Sequence, residues 1–234
     1  MVKAVTAAQM KEIDRLAQDE YGISSIRLME NAGIKSAKEI QKDFKSGRAC
    51  VCAGCGNNGG DGFVCARALK NYGIEVDIFL IGLVSDIKNE APLINFRKAE
   101  ELAIPLKELI REKDVKQFKK NFCYNIIVDA IFGIGFRGDL PENISDITSF
   151  LNETSLPTYA LDIPSGMDAT TGMVSPGCIE AFKTVTFGLS KTGFYRNPLA
   201  KKYTGEVIVK DIGIPPELLK KIVSKQNKAK RFCF

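Results

Sequence analysis

The chain has 234 residues, of which 45% are hydrophobic and 26% are charged, so its composition is that of an ordinary soluble globular protein. Its net charge of +5 suits an anionic small ligand but falls far short of the basic stripe that binds nucleic acid. The chain contains no histidine. This excludes imidazole-dependent triads and most zinc enzymes, so acid–base work must fall to Asp, Glu, Lys, Tyr or Cys.

The cysteines and the N-terminus indicate a location in the reducing cytoplasm. Seven cysteines are an odd number, and the first residues lead into an amphipathic pattern rather than the apolar region of a signal peptide. No apolar run approaches the roughly 18 residues of a membrane helix. These features predict a cytoplasmic protein with free thiols and no membrane segment.

Two helices are predicted at the start of the chain. Thr6 and Gln9 form a capping-box pattern, and the apolar stripe that follows ends near Gly22. A second helix is expected over residues 25–44. It contains Gly33, which costs an exposed helix about 1 kcal/mol, so we expect another element to pack closely there.

Strands and helices then alternate. Short β-branched runs predict strands at residues 49–54, 75–82, 125–130, 157–163, 183–188 and 206–210. Helices are predicted at residues 61–72, 88–103, 107–119 and 143–152, and the basic tail over residues 220–231 is expected to fray. This order indicates one α/β domain over residues 1–234, with a mainly parallel sheet between two helical layers.

Three unusual loops follow three of these strands. They read GCGNNGGDG over residues 54–62, DAIFGIGFRGD over residues 129–139 and DIPSGMD over residues 162–168. Each loop begins where its predicted strand ends. Because the carboxyl ends of parallel strands lie on one edge of the sheet, the three loops should border a common ligand site.

The first loop matches the dinucleotide pattern G-x-G-x-x-G imperfectly. That pattern expects an acidic residue at the end of the second strand, whereas here the only nearby carboxylate, Asp77, lies mid-strand. Asn57, Asn58 and Asp61 are also more than a pyrophosphate turn needs, which indicates contacts to hydroxyls, amides or a cation. A plain turn rich in glycine and asparagine is the alternative.

Asp129 and Asp162 each end an apolar strand, where a carboxylate is partly desolvated and needs a partner. A helix cap or an ion pair would satisfy either one. Together with Asn58 and Ser165, they would instead supply hard oxygen ligands for an alkali or alkaline-earth cation, which these residues do not identify.

Taken together, these stretches resemble the NAD(P)H-hydrate epimerases, also called the YjeF N-terminal domain family. The resemblance covers about residues 6–214, and the core GNNGGDG at residues 56–62 is its most specific part. The other matching stretches are MENAG at 29–33, VDAIFG at 128–133, GFRG at 135–138, DIPSG at 162–166, TFG at 186–188 and KTG at 191–193.

The resemblance implies a Rossmann-like three-layer α/β/α sandwich, a homodimer, and interconversion of the R and S forms of hydrated NADH and NADPH. It also implies a bound potassium ion, with Asn58, Asp129 and Ser165 as its side-chain ligands. The implied substrate-binding residues are Asn57, Asn58, Gly59, Gly60, Asp61, Gly133, Ile134, Gly135, Phe136, Arg137, Gly138, Asp139 and Asp162.

The chemistry of the implied reaction needs a positioned proton donor and acceptor, whether the hydroxyl leaves through an iminium or the ring opens. Without histidine, a carboxyl group is the natural candidate, and we predict Asp162, with Asp61 in reserve. Potassium would orient phosphate or hold the loops together.

Arg137, Lys191 and Arg196 are candidates for a contact to the 2′-phosphate of hydrated NADPH, although surface basic residues more often face water.

One question of domain composition and two competing functions bear on the predicted epimerase activity. Many bacterial members of the family continue into a dehydratase domain, whereas the present sequence ends at residue 234, so it is either a standalone epimerase or a shortened bifunctional protein. A separate dehydratase is the expected pathway partner. A non-catalytic scaffold of the same fold is the main competing function, but it would have little need of the polar residues on the three loops. An ordinary NAD-dependent dehydrogenase would instead bind NAD tightly and transfer hydride.

Overall fold

A computed structural model describes the backbone over residues 4–231 and the side chains over residues 4–224. The first three and last three residues of the predicted domain therefore lie outside the described part. The helices are α1 (Ala7–Asp19), α2 (Ser25–Asp43), α3 (Asn57–Asn71), α4 (Glu90–Glu101), α5 (Glu112–Lys120), α6 (Glu142–Glu153), α7 (Gly193–Arg196), α8 (Ala200–Thr204) and α9 (Pro216–Arg231). The strands are β1 (Ala4–Val5), β2 (Arg48–Gly54), β3 (Glu75–Ile81), β4 (Leu106–Glu108), β5 (Ile126–Ala130), β6 (Thr158–Leu161), β7 (Lys183–Phe187), β8 (Ser190–Lys191) and β9 (Glu206–Lys210).

Seven of the strands form one parallel sheet in the order β4-β3-β2-β5-β6-β7-β9. The chain enters at β2, runs outward through β3 and β4, and then returns to β5 on the other side of β2. The direction of winding therefore reverses between β2 and β5, and a crevice opens at such a point in doubly wound sheets. The two short strands β1 and β8 pair separately.

Both faces of the sheet are buried, which explains why the strands are apolar throughout. In β2, Val51 and Ala53 face one hydrophobic cluster, while Cys50 and Cys52 face the other. The first cluster also contains residues of α1, α2, α3, α4 and α9, and the second contains residues of α5 and α6. The sheet is thus the middle layer of an α/β/α sandwich, and the predicted fold class is confirmed.

Three predicted stretches differ from the structure, and the short elements β1, β8, α7 and α8 are not among the predictions. The helix predicted over residues 107–119 is wrong at its start, because Leu106–Glu108 forms β4 and pairs with β3 before α5 begins. The helix predicted from residue 61 begins four residues earlier, at Asn57. The tail predicted to fray over residues 220–231 is helical and belongs to α9.

The predicted capping box of the first helix is confirmed. Thr6 caps α1 through a capping box in which its side chain accepts from the backbone N–H of Gln9, and the side chain of Gln9 accepts from the backbone N–H of Thr6. Among residues 4–231, no helix is both long enough and apolar enough to cross a membrane.

Gly33 marks the closest approach of α2 and α3. A Cβ atom at Gly33 would lie 2.4 Å from Cβ of Val64 and 2.7 Å from the carbonyl oxygen of Asp61. Such distances require one helix to move away from the other. The close packing expected from a glycine inside a helix is therefore present, and it places the first turns of α3 against α2.

Gly33→Ala should lower the free energy of unfolding by about 1–3 kcal/mol, because the added methyl group overpacks the contact between α2 and α3. The matched control is Gly135→Ala, where a Cβ atom would meet nothing within 4 Å. That substitution should change stability by less than about 0.5 kcal/mol. Urea unfolding of both variants measures the difference, and equal stability would contradict the packing argument.

Candidate functional site

A cavity of about 930 Å³ opens at the carboxyl edge of the sheet, at the point where the winding reverses. The loops that follow β2, β5 and β6 all contribute to it, and α1 and α2 supply further wall. Its polar and charged lining side chains include Lys11, Asp14, Gln18, Asn57, Asn58, Asp61, Asn89 and Asp162. The three loops that the sequence singles out therefore do border one site.

One end of this cavity is the N-terminus of α3. The helix begins at Asn57, directly after Gly56, so the N–H groups of its first residues have no intrahelical acceptor. The side chain of Asn89 donates to Oδ1 of Asn57 over 3.0 Å and fixes it at the cavity wall. Free amides and the helix dipole make this end a favourable place for a phosphate group.

Gly59 and Gly60, predicted to bind substrate, do not line the cavity. A Cβ atom at Gly59 would lie 1.8 Å from the carbonyl oxygen of Gly54, and one at Gly60 would lie 2.4 Å from the sulfur of Met29. These two glycines allow α3 to start against the strand end and against α2. Their lack of a side chain therefore has a packing role, and their predicted contact with the substrate stays a prediction.

A second group of polar side chains lies beneath the loops. Asp129 is fully buried, and the backbone N–H and the hydroxyl of Ser165 both donate to its carboxylate, over 2.7 and 2.6 Å. The hydroxyl of Ser165 in turn accepts from the N–H of Phe132. Asn58 donates to the carbonyl of Phe132 over 2.9 Å, while its buried Oδ1 has no hydrogen-bond partner among the described residues.

An unpartnered buried amide oxygen beside a buried carboxylate needs an explanation, because desolvated acceptors are costly. Burial raises the pKa of Asp129 to about 6, although the hydrogen bonds from Ser165 and Ile131 oppose this shift. Asn58 and Ser165 both bond to Phe132, and Ser165 bonds to Asp129, so the three predicted potassium ligands are linked through one residue. The potassium site itself stays a prediction.

Asp162 lies at the end of β6 and is held by a buried lysine. The ammonium group of Lys191, fully buried, donates to Oδ1 of Asp162 over 2.7 Å. It also donates to the hydroxyl of Thr186 and to the carbonyls of Phe187 and Leu189. The hydroxyl of Thr186 donates to the same Oδ1 atom.

The carboxylate of Asp162 accepts three hydrogen bonds, from Lys191, from the hydroxyl of Thr186 and from the N–H of Phe187, and all three reach Oδ1. The other oxygen, Oδ2, has no hydrogen bond within the described part of the chain. The backbone of Asp162 adopts a φ of +63°, in the left-handed region that costs a residue with a side chain free energy. The lysine and the strained backbone together hold the carboxylate at the cavity, with one oxygen available to a ligand.

Lys191 was a candidate for contacting a 2′-phosphate or for facing water, and both ideas are wrong because it is buried against Asp162. Arg137 forms an ion pair with Asp168 over 3.1 Å, and Arg137, Gly138 and Asp139 do not line the cavity. The predicted substrate-binding residues that do line it are Asn57, Asn58, Asp61, Gly133, Ile134, Gly135, Phe136 and Asp162.

Asp14 is a cavity residue that sequence reasoning missed. Burial raises its pKa to about 7; the nearby Asp162 carboxylate also raises it, and Lys191 lowers it. The pKa of Asp61 is raised well above its ordinary value by burial and by Asp162 and Asp14. The sequence did carry a signal, since Asp14 lies between Met10 and Ala17 on the apolar stripe of α1, where a charged residue is out of place.

A family model for the N-terminus of YjeF-related proteins matches residues 25–193 of the chain. The NAD(P)H-hydrate epimerase of Weissella koreensis is 38% identical over 222 residues, which cover 93% of this chain and 96% of that protein. The NAD(P)H-hydrate epimerase of Elusimicrobium minutum is 34% identical over 226 residues, which cover 94% of this chain and all of that protein.

A longer relative is the bifunctional NAD(P)H-hydrate repair enzyme Nnr of Moorella thermoacetica, 40% identical over 220 residues. The match covers 92% of this chain but only 41% of that enzyme. Among solved structures, yeast ynu0 (YNL200c) superposes with a TM-score of 0.81 at 27% identity, covering 94% of this chain and 93% of the yeast chain.

Lys191→Met should lower the free energy of unfolding by about 3–5 kcal/mol, because it removes the ammonium group that pairs with the buried carboxylate of Asp162. The double variant Lys191→Met with Asp162→Asn should recover part of that loss, since it removes the uncompensated charge as well. Urea unfolding of the single and double variants measures the coupling. Simple addition of the two single effects would contradict an ion pair that matters to the fold.

Proposed function

Since the chain belongs to the family of YjeF-related N-termini, we infer that it is an NAD(P)H-hydrate epimerase, which interconverts the R and S forms of hydrated NADH and NADPH. The observation that carries this function is that one cavity joins the amide end of α3 to the carboxylate of Asp162. The first suits a pyrophosphate and the second suits proton transfer. Relatives of matching length carry the name of this activity.

The reacting carbon of the substrate bears a hydroxyl group and is bonded to the ring nitrogen. Loss of the hydroxyl through an iminium, or opening of the ring, removes the configuration at that carbon, and the return step can restore either form. Each direction needs a group that gives a proton and one that takes a proton. Asp162 is the proposed acid–base residue, because Lys191 holds it at the cavity with Oδ2 available.

Asn57 and the first amides of α3 are proposed to hold the pyrophosphate, with Gly133 and Phe136 on the adjoining wall. Such contacts fix the ring relative to the carboxylate, and correct orientation contributes to the rate as well as to binding.

A potassium ion is proposed at Asn58, Asp129 and Ser165. The support is the buried Oδ1 of Asn58 that lacks a partner within the described residues, next to the buried carboxylate of Asp129. Amide, carboxylate and hydroxyl oxygens are the ligands that hard cations prefer. When bound, the ion supplies a positive charge that orients phosphate and ties the loops after β2, β5 and β6 together.

Two other functions fit the structure less well. A scaffold module has no need of three carboxylates, Asp14, Asp61 and Asp162, around a deep cavity. A dehydrogenase expects a ribose-binding acid at the end of its second strand. Asp77, the carboxylate on β3, is instead mid-strand and engaged by Arg48 and the hydroxyl of Tyr124.

Homodimer formation, a cytoplasmic location and a separate dehydratase as pathway partner are also proposed. The partner is supported by the bifunctional repair enzymes, of which this chain matches about two fifths. Six cysteines in the described part of the chain are free thiols, as a reducing compartment favours.

The direct test is to mix the protein with R-enriched hydrated NADH and follow the two forms by chromatography, in potassium and in sodium. We expect equilibration well above the rate without protein, and a loss of about 100-fold or more in Asp162→Asn. A folded wild-type protein that accelerates equilibration in neither salt would overturn the function. Wild-type rates in folded Asp162→Asn would overturn the role of Asp162 alone.

Potassium binding has a test that is independent of activity. At equal ionic strength, a potassium concentration ten times Kd should raise the Tm over that in sodium by about 3–5 °C. Asn58→Ala should abolish this difference, whereas Asn57→Ala, its neighbour on the cavity wall, should keep it. An equal Tm of the wild type in both salts would contradict the cation site.

A further inference from the structure

Four carboxylates line the cavity, and one of them, Asp19, is engaged by Arg15. Asp162 is paired with Lys191, whereas Asp14 from α1 and Asp61 from α3 form no side-chain hydrogen bond within the described residues. Asp162 nevertheless raises the pKa of both, and Asp14 also raises the pKa of Asp61. Repulsion of this kind favours a proton on one of the carboxyl groups.

The epimerisation inferred above requires two acid–base roles, and Asp162 fills only one of them. The ammonium group of Lys191 holds its Oδ1 atom, which leaves Oδ2 to accept a proton. The donor must reach the same cavity from another element and keep a proton there. Asp14 meets this requirement, because α1 presents it to the cavity between Met10 and Gln18, which also line it.

We propose that Asp14 is a further catalytic residue of this site, the group that delivers a proton to the departing hydroxyl while Asp162 accepts one from the returning water. This inference rests on the proposed function. It assigns a role to α1, which precedes the segment that matches the family model.

One proton leaves Asp14 and one proton reaches Asp162 in each epimerisation. The ring nitrogen lone pair forms the iminium as the carbon–oxygen bond breaks, and the proton of Asp14 converts the leaving hydroxyl to water. A water molecule then adds to the other face of the iminium, and its proton passes to the carboxylate of Asp162. The reverse reaction starts from protonated Asp162 and returns the proton to Asp14. No oxidant, reductant or further reactant is needed.

Asp14 suits this role better than Asp61. A donor works best when its pKa lies near the working pH, and the pKa of Asp14 is raised to about 7. Asp61, whose pKa is also raised by burial, by Asp162 and by Asp14, lies on α3, whose first residues are proposed to hold the pyrophosphate rather than the ring.

The charges around Asp14 come from each neighbouring element. On α1, Lys11 lies at the cavity and Arg15 pairs with Glu12 and Asp19. From α3, the end of β6 and β8, the groups are Asp61, Asp162 and Lys191. Lys221 of α9 pairs with Glu20, beyond the end of α1. Besides burial, the Asp162 carboxylate raises the pKa of Asp14 and the Lys191 ammonium lowers it.

The test compares Asp14→Asn with Glu12→Gln, a matched loss of one carboxylate on the same helix outside the cavity. Epimerisation of R-enriched hydrated NADH is measured from pH 6 to 9 for both variants and the wild type. Asp14→Asn should lower kcat by about 100-fold or more, change KM by less than about 3-fold, and lose the fall in rate above about pH 7. Glu12→Gln should retain wild-type kcat and pH profile.

Each outcome decides the inference. If Asp14→Asn keeps kcat within about 3-fold of Glu12→Gln, or if the alkaline fall persists unchanged at a reduced rate, Asp14 is not the donor, while the epimerase function stands. If the wild type shows no acceleration, the function and this inference both fail. If Asp14→Asn does not fold, carbon-13 carboxyl NMR of the wild type decides instead. Titration of Asp14 near pH 7 supports the role, and a carboxylate already ionised at pH 5 overturns it.

Discussion

The reversal of winding between β2 and β5 is the constraint on which the rest of the site depends. Both strands are parallel and directly paired, so the loops that leave them diverge from a common edge and leave a crevice between them. The next strand, β6, brings Asp162 to the same edge. Residues far apart in sequence are therefore neighbours, because the observed strand order brings the ends of β2, β5 and β6 to one edge.

The second constraint is charge. The chain contains no histidine, yet the proposed reaction needs both a donor and an acceptor near neutral pH. Crowding of carboxylates provides both, since neighbouring acids in a desolvated site acquire separate pKa values. Lys191 distinguishes Asp162 from the other carboxylates by pairing with its Oδ1 atom. The buried ammonium thus shapes the chemistry of a cavity that it does not itself line.

Much of the fold was predictable because the signals were local. Apolar strands bounded by glycine loops gave the sheet and placed Asp129 and Asp162 at its edge, as the structure confirms. The strand β4 was missed because three residues that read Leu-Lys-Glu have no strand pattern of their own. The start of α3 was missed because asparagine and glycine have low helix propensity, which contacts with α2 override.

The chemistry of the site was less predictable, because it depends on contacts between distant residues. Lys191 resembles any surface lysine until the fold buries it against Asp162, 29 positions away in the sequence. Asp14 is one acidic residue on the apolar stripe of an amphipathic helix, and the sequence does not show that a cavity lies against this stripe. Gly59 and Gly60 also have a packing role that the sequence did not show, because each lies against a neighbouring element of the fold.

The central claim is that the amide end of α3 and the carboxylate cluster hold the two ends of one dinucleotide. A crystal structure of the protein with NADPH, which lacks the hydrate and is not turned over, tests it most directly. We predict the pyrophosphate at the N–H groups of Asn57 and Asn58 and the nicotinamide ring between Asp14 and Asp162. A dinucleotide bound outside this cavity, or one with its adenine at Asp162, would contradict the account.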